Sequence, residues 1–405
     1  MPSESTVVVT GLGCLSALGR TVDEFWSALE AGRCGIRPIT RVPPDKVQIG
    51  IAAEVDDSLV DAGEADRAAC DRYSLFALAA AREAVHDAGL DFPNDESLRR
   101  ATAVVVASGV GGWDTLNQAF EDILVRGRRR PHPLTVPRLM ISAATSHVSR
   151  TFGLTGPAFT ISSACSSSTH AIGEAYWMIR TGRVRAAVVG GAESESSLTS
   201  HRAWEALRVL APDTCRPFSR DRRGMVIGEG AGILVLERLE DARARGAHIY
   251  CELAGYGASA DAGDLVAPDA SGASAAITEA LAMARLNTDD VDYINAHGTG
   301  TVVNDRTEVQ AIRRAFGTTA DRLMVSSTKS MHGHALGAAG ALEAVATVKT
   351  LEQQVVPPTI NYLGPDPECD LDHVPHSARR TPVRAALSNS LAFGGLNAVL
   401  AFRPL

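Results

Sequence analysis

The chain has 405 residues, 45% hydrophobic and 21% charged, which is enough apolar material for a large buried core and excludes a disordered chain. A formal net charge of −8 argues against a dedicated nucleic-acid binder, whose phosphate contacts draw on a basic surface. Seven cysteines, odd in number and without CxxC pairs, suggest neither a disulfide frame nor a zinc site, and no apolar span of about 18 residues supports membrane insertion; a reducing cytoplasm fits this usage.

Hydrophobic periodicity lays out the elements in order. An apolar strand at residues 6–13 closes on glycines, and helical patterns follow at 21–31 and 72–88. A buried strand at 101–107 ends in Ser108-Gly109-Val110-Gly111-Gly112. Helix signals at 114–124 and 138–152 then flank a basic loop, Arg126-Gly127-Arg128-Arg129-Arg130. A strand at 158–162 runs into Cys165 and a helix at 170–180, with further strands at 184–190 and 231–237. The order then begins again: strand 250–256, helix 272–284, strand 291–296, helix 305–316, strand 323–327, helix 335–351, and strands 384–388 and 397–402. Both halves read strand, helix, strand, helix, strand, helix, strand, strand. The expected architecture is a duplicated α/β unit, residues 1–249 and 250–405, with helices covering mixed sheets.

The duplication has a chemical consequence. The loop after the third strand carries Cys165 in the first half and Lys329-Ser330-Met331-His332-Gly333-His334 in the second, so a pseudo-twofold sets these loops face to face. His297 ends the second strand of the second half, and ligands of open α/β sheets bind at strand carboxyl ends. One cysteine and two histidines are expected to converge. Cys165 opens a helix whose positive end favours thiolate, a ground for nucleophilicity, although a cysteine in apolar surroundings also serves as packing. In Asn295-Ala296-His297-Gly298-Thr299-Gly300-Thr301 the glycines permit close approach of a ligand and the threonines offer hydroxyls; a turn capped by histidine fits the same residues. His334, at the entry of a glycine- and alanine-rich helix, is expected as a neutral imidazole donating from Nε2 to a developing enolate oxygen. Glu343 on that helix can pair with Lys329 behind the site, or serve structure alone. His332, one residue from a glycine, reads as exposed.

Gly224-Met225-Val226-Ile227-Gly228-Glu229-Gly230-Ala231-Gly232 lacks GxxxxGK[ST] and leads into a strand, which argues against nucleotide binding. The turn Ser388-Asn389-Ser390-Leu391-Ala392-Phe393-Gly394-Gly395 can lend backbone amides to an oxyanion hole together with that of Cys165. The arginine run at 126–130 reads as a solvated loop, with an anchor for an acidic carrier protein as a second reading.

Four motifs together resemble the β-ketoacyl-acyl carrier protein synthases, elongating condensing enzymes of the thiolase superfamily. They are Ala164-Cys165-Ser166-Ser167, the Asn295–Thr301 string, Lys329-Ser330 with Gly333-His334 and Leu336-Gly337-Ala338-Ala339-Gly340, and Asn389-Ser390 before Phe393-Gly394-Gly395. Lys329 to His334 and Asn304-Asp305-Arg306 are most similar to ketosynthases of type II polyketide, polyene and nodulation-lipid pathways. The resemblance covers essentially the whole chain and implies thiolase-like βαβαβαββ halves forming a layered αβαβα core.

It also implies roles. Cys165 would take an acyl chain from a carrier-protein thioester, with the amides of Cys165 and Phe393 as oxyanion hole and Phe393 as gate. His297 and His334 would promote decarboxylation of malonyl-carrier protein, and Lys329 and Glu343 would hold His334. Thr299 and Thr301 would bond the phosphopantetheine arm, and Val110 would line the acyl pocket. No metal or cofactor beyond the carrier's phosphopantetheine is implied. The implied partners are an acyl carrier protein and a second protomer joined through residues 158–162, either the same chain or a chain-length-factor-like paralogue. Two other readings share the fold. A non-catalytic chain-length-factor-like subunit usually lacks the cysteine; a thiolase normally carries a second cysteine near the C-terminus, for which Phe393-Gly394-Gly395 has no counterpart; and an acyltransferase of the same fold would release the chain to another acceptor. Leu391-Ala392 and Leu396 depart from the Phe-Gly and Thr of many fatty-acid synthases, and Ser168 replaces a common glycine.

Overall fold

Ten strands form one continuous sheet in the computed structural model, which describes residues 5–405. The first half supplies β1 (Val7–Ser16), β2 (Thr102–Ala107), β3 (Ala158–Phe159), β4 (Ala186–Glu193) and β5 (Gly230–Arg238). The second supplies β6 (Cys251–Ala260), β7 (Tyr293–Asn295), β8 (Met324–Ser326), β9 (Ala386–Ala392) and β10 (Leu396–Arg403). Their spatial order is β8-β7-β9-β10-β6-β1-β5-β4-β2-β3. Each half therefore repeats the order third, second, fourth, fifth, first. The first two of these pairings are parallel and the last two antiparallel in both halves. The halves meet where β1 and β6 pair antiparallel through Val8–Glu252 and Val9–Cys251, so the duplication read from periodicity is a pseudo-twofold about that seam.

Six helices complete the layers: α1 (Arg72–Ala88), α2 (Ala143–Phe152), α3 (Ser167–Arg180), α4 (Ala270–Ala284), α5 (Val302–Phe316) and α6 (Ala339–Gln353). α3 and α6 touch each other and strands of both halves, whereas α1 with α2 and α4 with α5 cover the outer faces. The result is an αβαβα stack with one hydrophobic core in the centre and one under each outer layer. α6 is buried from Ala339 through Leu351, as a helix held between the two halves of the sheet must be, and small residues let it approach both. A Cβ on Gly340 would stand 2.0 Å from Thr169 Oγ1, and one on Gly232 would stand 2.6 Å from the Ala341 carbonyl carbon. Ala341 N donates to Ser168 Oγ at 2.9 Å, so the serine that departs from the family pattern ties α3 to α6.

Most predicted elements coincide with observed ones, and the exceptions have local causes. α1 matches because Asp71 caps its start and Gly89, at φ +64°, ends it. The expected helix at 138–152 divides into Thr135–Leu139 and Ala143–Phe152. The expected strand at 158–162 pairs only through Ala158–Phe159, after which the chain leaves the sheet to deliver Cys165. The helix expected from 335 begins at Ala339, after a 3-10 turn at Leu336–Ala338 in which Leu336 takes φ +47°. No helix of the described residues is long and apolar enough to cross a membrane. Because the α3–α6 contact has no room, Gly340→Ala is expected to lower stability by about 1–3 kcal/mol in urea titration.

Candidate active site

The loops that follow β3 and β8 face one another across the seam. Together with the loop after β7, which carries His297, they bring Cys165 Sγ and ring nitrogens of His297 and His334 within 4.8 Å of one another, with all three residues buried. The two imidazoles meet edge to face, their centroids 5.2 Å apart. Ahead of Cys165, Ala164 takes φ +52°, a left-handed conformation that persists only where neighbours hold it. Serines do so here: Ser163 N donates to Ser167 Oγ at 2.8 Å, and the Ser166 and Ser167 hydroxyls donate to Ser163 O and Ala164 O at 2.8 and 2.6 Å. The Phe393 backbone amide lies close enough to the Cys165 sulfur to favour its thiolate.

The resting state of that sulfur differs from the sequence expectation. Burial pushes the Cys165 thiol up to about 12, and Lys329 and the Phe393 amide offset this only in part. Amides at the start of α3 give the sulfur no help. Those of Ser166 and Ser167 donate to Ser163 O and Ala164 O at 3.3 and 3.2 Å instead. Cys165 therefore rests as a thiol.

Lys329 lies beneath the histidines without solvent exposure. Its Nζ donates to the His297 carbonyl at 2.7 Å, to His297 Nδ1 at 3.3 Å and to the Glu343 carboxylate, so three donors meet three acceptors. Burial raises the Glu343 carboxyl while the ammonium pulls it back down. On the far side of the site the Leu336 amide donates to His334 Nδ1 at 3.3 Å. Burial, then the Lys329 charge, then the other imidazole hold His297 well below its ordinary value. Burial, Lys329 and His332 do the same to His334. Both rings are neutral with Nδ1 occupied as an acceptor, so both carry their proton on Nε2. Two imidazoles and a thiol at this spacing would also suit a soft metal ion, but Nδ1 of each ring is already taken by a donor.

His334 itself stands apart from the helix entry assigned to it from sequence. Its neutrality follows from burial beside Lys329 rather than from a helix dipole, because α6 starts only at Ala339. His332 is also a correction: it is fully buried, with Nε2 at 3.0 Å from Thr328 Oγ1, and burial lowers it to about 3. Arg126 and Arg128 of the basic loop both pair with Asp122.

A cavity of about 360 Å³ leads down to Cys165, His297 and His334, and Thr299, Thr301 and Phe393 also line it. Exposed Arg208, Val302 and Val303 form its rim. The threonine hydroxyls are 3.0 Å apart. Their turn is held by the Cys215 thiol on Thr299 O at 3.4 Å and by buried Arg222 on Thr301 O and Val302 O at 3.4 and 3.2 Å. Phe393 stands at the β9–β10 turn with its ring 6.2 Å from that of Trp204, and Gly394 and Gly395 at φ +80° and +70° close the turn. Val110 is not among the residues lining this cavity; its amide instead reaches Glu193 Oε1 at 3.4 Å.

Two residues that sequence reasoning passed over sit in the site. Trp204 lines the cavity over Phe393. Glu308, fully buried on α5, accepts the His297 and Gly298 amides at 2.8 and 2.7 Å and so fixes the turn below the histidine. An acid on the same helical face as apolar Val309 and Ile312 was the available signal.

The Beta-ketoacyl synthase N-terminal domain family matches residues 4–242, and the Beta-ketoacyl synthase C-terminal domain family matches residues 250–363. The chain belongs to the β-ketoacyl synthase family. It is 48% identical over 400 residues to Nodulation protein E of Rhizobium sp. (strain N33), covering 98% of each chain. It is 42% identical over 414 residues to 3-oxoacyl-[acyl-carrier-protein] synthase 2 of Staphylococcus aureus (strain N315), covering 100% of this chain and 99% of that one. Among solved structures, the ishigamide ketosynthase/chain length factor aligns over 100% of both chains with TM-score 0.94 and 37% identity. AntDE:AntF, a type II PKS acyl-carrier protein in complex with its ketosynthase bound to the hexaketide, aligns over 100% of both with TM-score 0.92 and 34% identity. The mixed α/β stack is thus the thiolase-like ketosynthase fold, and the chain is an acyltransferase-class β-ketoacyl synthase.

Two measurements follow. Iodoacetamide alkylation of Cys165 is expected to accelerate about tenfold per pH unit from pH 6 to 10 without a plateau; a plateau near pH 7 contradicts a resting thiol. Lys329→Met leaves the Glu343 carboxyl buried without its partner and is expected to cost about 3–5 kcal/mol at pH 8. The cost falls at pH 6, because the raised Glu343 group then binds a proton in the native state that the unfolded chain does not.

Proposed function

We propose that this chain is a decarboxylating β-ketoacyl-acyl carrier protein synthase of a type II polyketide or fatty-acid-like pathway, with Cys165 as nucleophile. The observation that carries the assignment of residues is the meeting of the Cys165 thiol with two imidazoles whose Nδ1 atoms are both occupied, at the end of one cavity. The acyl chain arrives as a carrier-protein thioester. Cys165 sulfur attacks the carbonyl, the carrier thiol departs, and the cysteine proton passes to that thiol. The Cys165 and Phe393 amides hold the oxyanion between these states.

Malonyl-carrier protein then enters with its phosphopantetheine arm beside Thr299 and Thr301. Loss of carbon dioxide leaves an enolate whose oxygen receives hydrogen bonds from Nε2–H of His297 and His334. Neutral donors suit this step, since they stabilise the enolate without protonating its carbon. That carbon attacks the acyl-cysteine carbonyl. The tetrahedral intermediate expels Cys165 thiolate, which takes a proton from solvent, and the chain leaves lengthened by two carbons. No cofactor is needed beyond the carrier's own arm. Lys329 and Glu343 serve by positioning His297 and by the charge they place under both rings.

Arg208 and Arg223 at the cavity supply cations for an acidic carrier protein. The exposed edge strand β3, with Phe159 on it, supplies a face for a second protomer, this chain or a chain-length-factor-like paralogue. Seven free cysteines suit the reducing cytoplasm.

Intact-mass analysis with acyl- and malonyl-carrier protein tests the reading. Wild type should show an acyl adduct and an elongated product, and Cys165→Ala should show neither. His334→Ala should still acylate while decarboxylation falls by about 10²–10³-fold. An acyl adduct on Cys165→Ala removes the cysteine from its role. Val110→Phe should shorten the product chain; an unchanged length distribution removes Val110 from the acyl pocket.

A further inference from the structure

One buried carboxylate outside the cysteine and histidines touches both halves of the molecule beside the site. Glu193 ends β4 and has no exposure. Its Oε1 accepts the Ser108 hydroxyl at 2.7 Å and lies 3.4 Å from Val110 N. Its Oε2 accepts Gly109 N at 2.6 Å and, from the other half, Gly337 N at 3.0 Å. The donors close tightly around it. A Cβ on Gly109 would stand 2.8 Å from Oε2, and one on Gly337 would stand 2.5 Å from Oε2 and 2.3 Å from Gly109 N. Only glycine at both positions lets two amides reach one oxygen.

Gly337 is the residue after Leu336, whose amide occupies His334 Nδ1 and whose side chain packs on Cys165 and Ala392. Leu336 is held at φ +47°, a conformation a leucine keeps only under tertiary constraint. The bond from Gly337 N to Glu193 supplies that constraint one peptide away.

We propose that Glu193 is a positioning residue for His334: its carboxylate clamps the Leu336-Gly337 turn, keeps the Leu336 amide on Nδ1, and so keeps the Nε2 proton directed at the reacting oxygen. The same carboxylate gathers the Ser108–Gly109–Val110 loop, whose Gly109 carbonyl accepts Ser162 Oγ at 3.2 Å just before the nucleophile. The loop beside Val110 and the turn beside His334 therefore share one anchor. This inference rests on the ketosynthase reading for what His334 does, while the clamp itself is independent of it.

The test uses Glu193→Gln, which keeps the size but turns an amide group toward donors that need an acceptor, and Gly337→Ala, which drives a methyl into the clamp from the other half. Each is compared with wild type in malonyl-carrier protein decarboxylation, in Cys165 alkylation by iodoacetamide, and in ¹⁵N spectra of histidine-labelled protein, with His334 assigned from its loss in His334→Ala. Both variants should lower kcat for decarboxylation about 10–100-fold, with KM and alkylation changed by less than about threefold. Both should also shift the His334 ring signals away from the single Nε2–H tautomer, and Glu193→Asp should recover part of the rate. Folded variants with wild-type kcat and wild-type His334 signals overturn the proposal, as does a parallel fall in decarboxylation and alkylation, which marks general damage to the site. If wild type does not decarboxylate, the ketosynthase reading fails, and the His334 signals alone decide the clamp.

Discussion

A single ammonium group without access to solvent governs the arrangement of this site. Lys329 determines which nitrogen of His297 bears the proton, lowers the proton affinity of both histidines, and draws part of the Cys165 thiol's burial cost back down. A charge in that position needs a counter-charge as deeply buried, and Glu343 supplies it from the buried helix α6. The demands on that helix follow. It must lie between the two halves of the sheet, near enough to reach the lysine, and its run of small residues is the composition that such proximity allows.

The duplication was legible because it depends only on the alternation of apolar strands and amphipathic helices, repeated in the same order about residue 250. That repetition also sufficed to place Cys165 and the Lys329–His334 stretch opposite each other, since equivalent loops of a pseudo-twofold must meet. Where the reading departed from the structure, the missing information was tertiary. Ala335 to Ala338 look helical by composition, yet Leu336 adopts a left-handed conformation that composition does not encode. His332 beside Gly333 has the local look of an exposed loop, but Phe25 from a distant helix packs on it. The acidity of Cys165 was misjudged for the same reason: a helix start is visible in sequence, whereas the depth of its burial and the diversion of the first amides are not.

Carboxylates show that limit most plainly. Glu308 stands out only as an acid on an apolar helix face and Glu193 only as the end of a strand, and the folded chain alone reveals which amides each gathers, from the turn that bears His297 and from the turn that follows His334. Backbone geometry around the two imidazoles is thus fixed by buried acids that carry no recognisable motif. The motifs mark the reacting groups, and residues without a motif set their aim.

With both Nδ1 atoms engaged from behind, each imidazole presents the same face throughout the proposed cycle and passes through no charged state. A histidine that relays protons must be returned to its starting form before the next substrate can react. These two have nothing to reset. In that cycle the protein contributes fixed dipoles and keeps no chemical memory of the previous turnover, so the site meets every incoming unit in the same state.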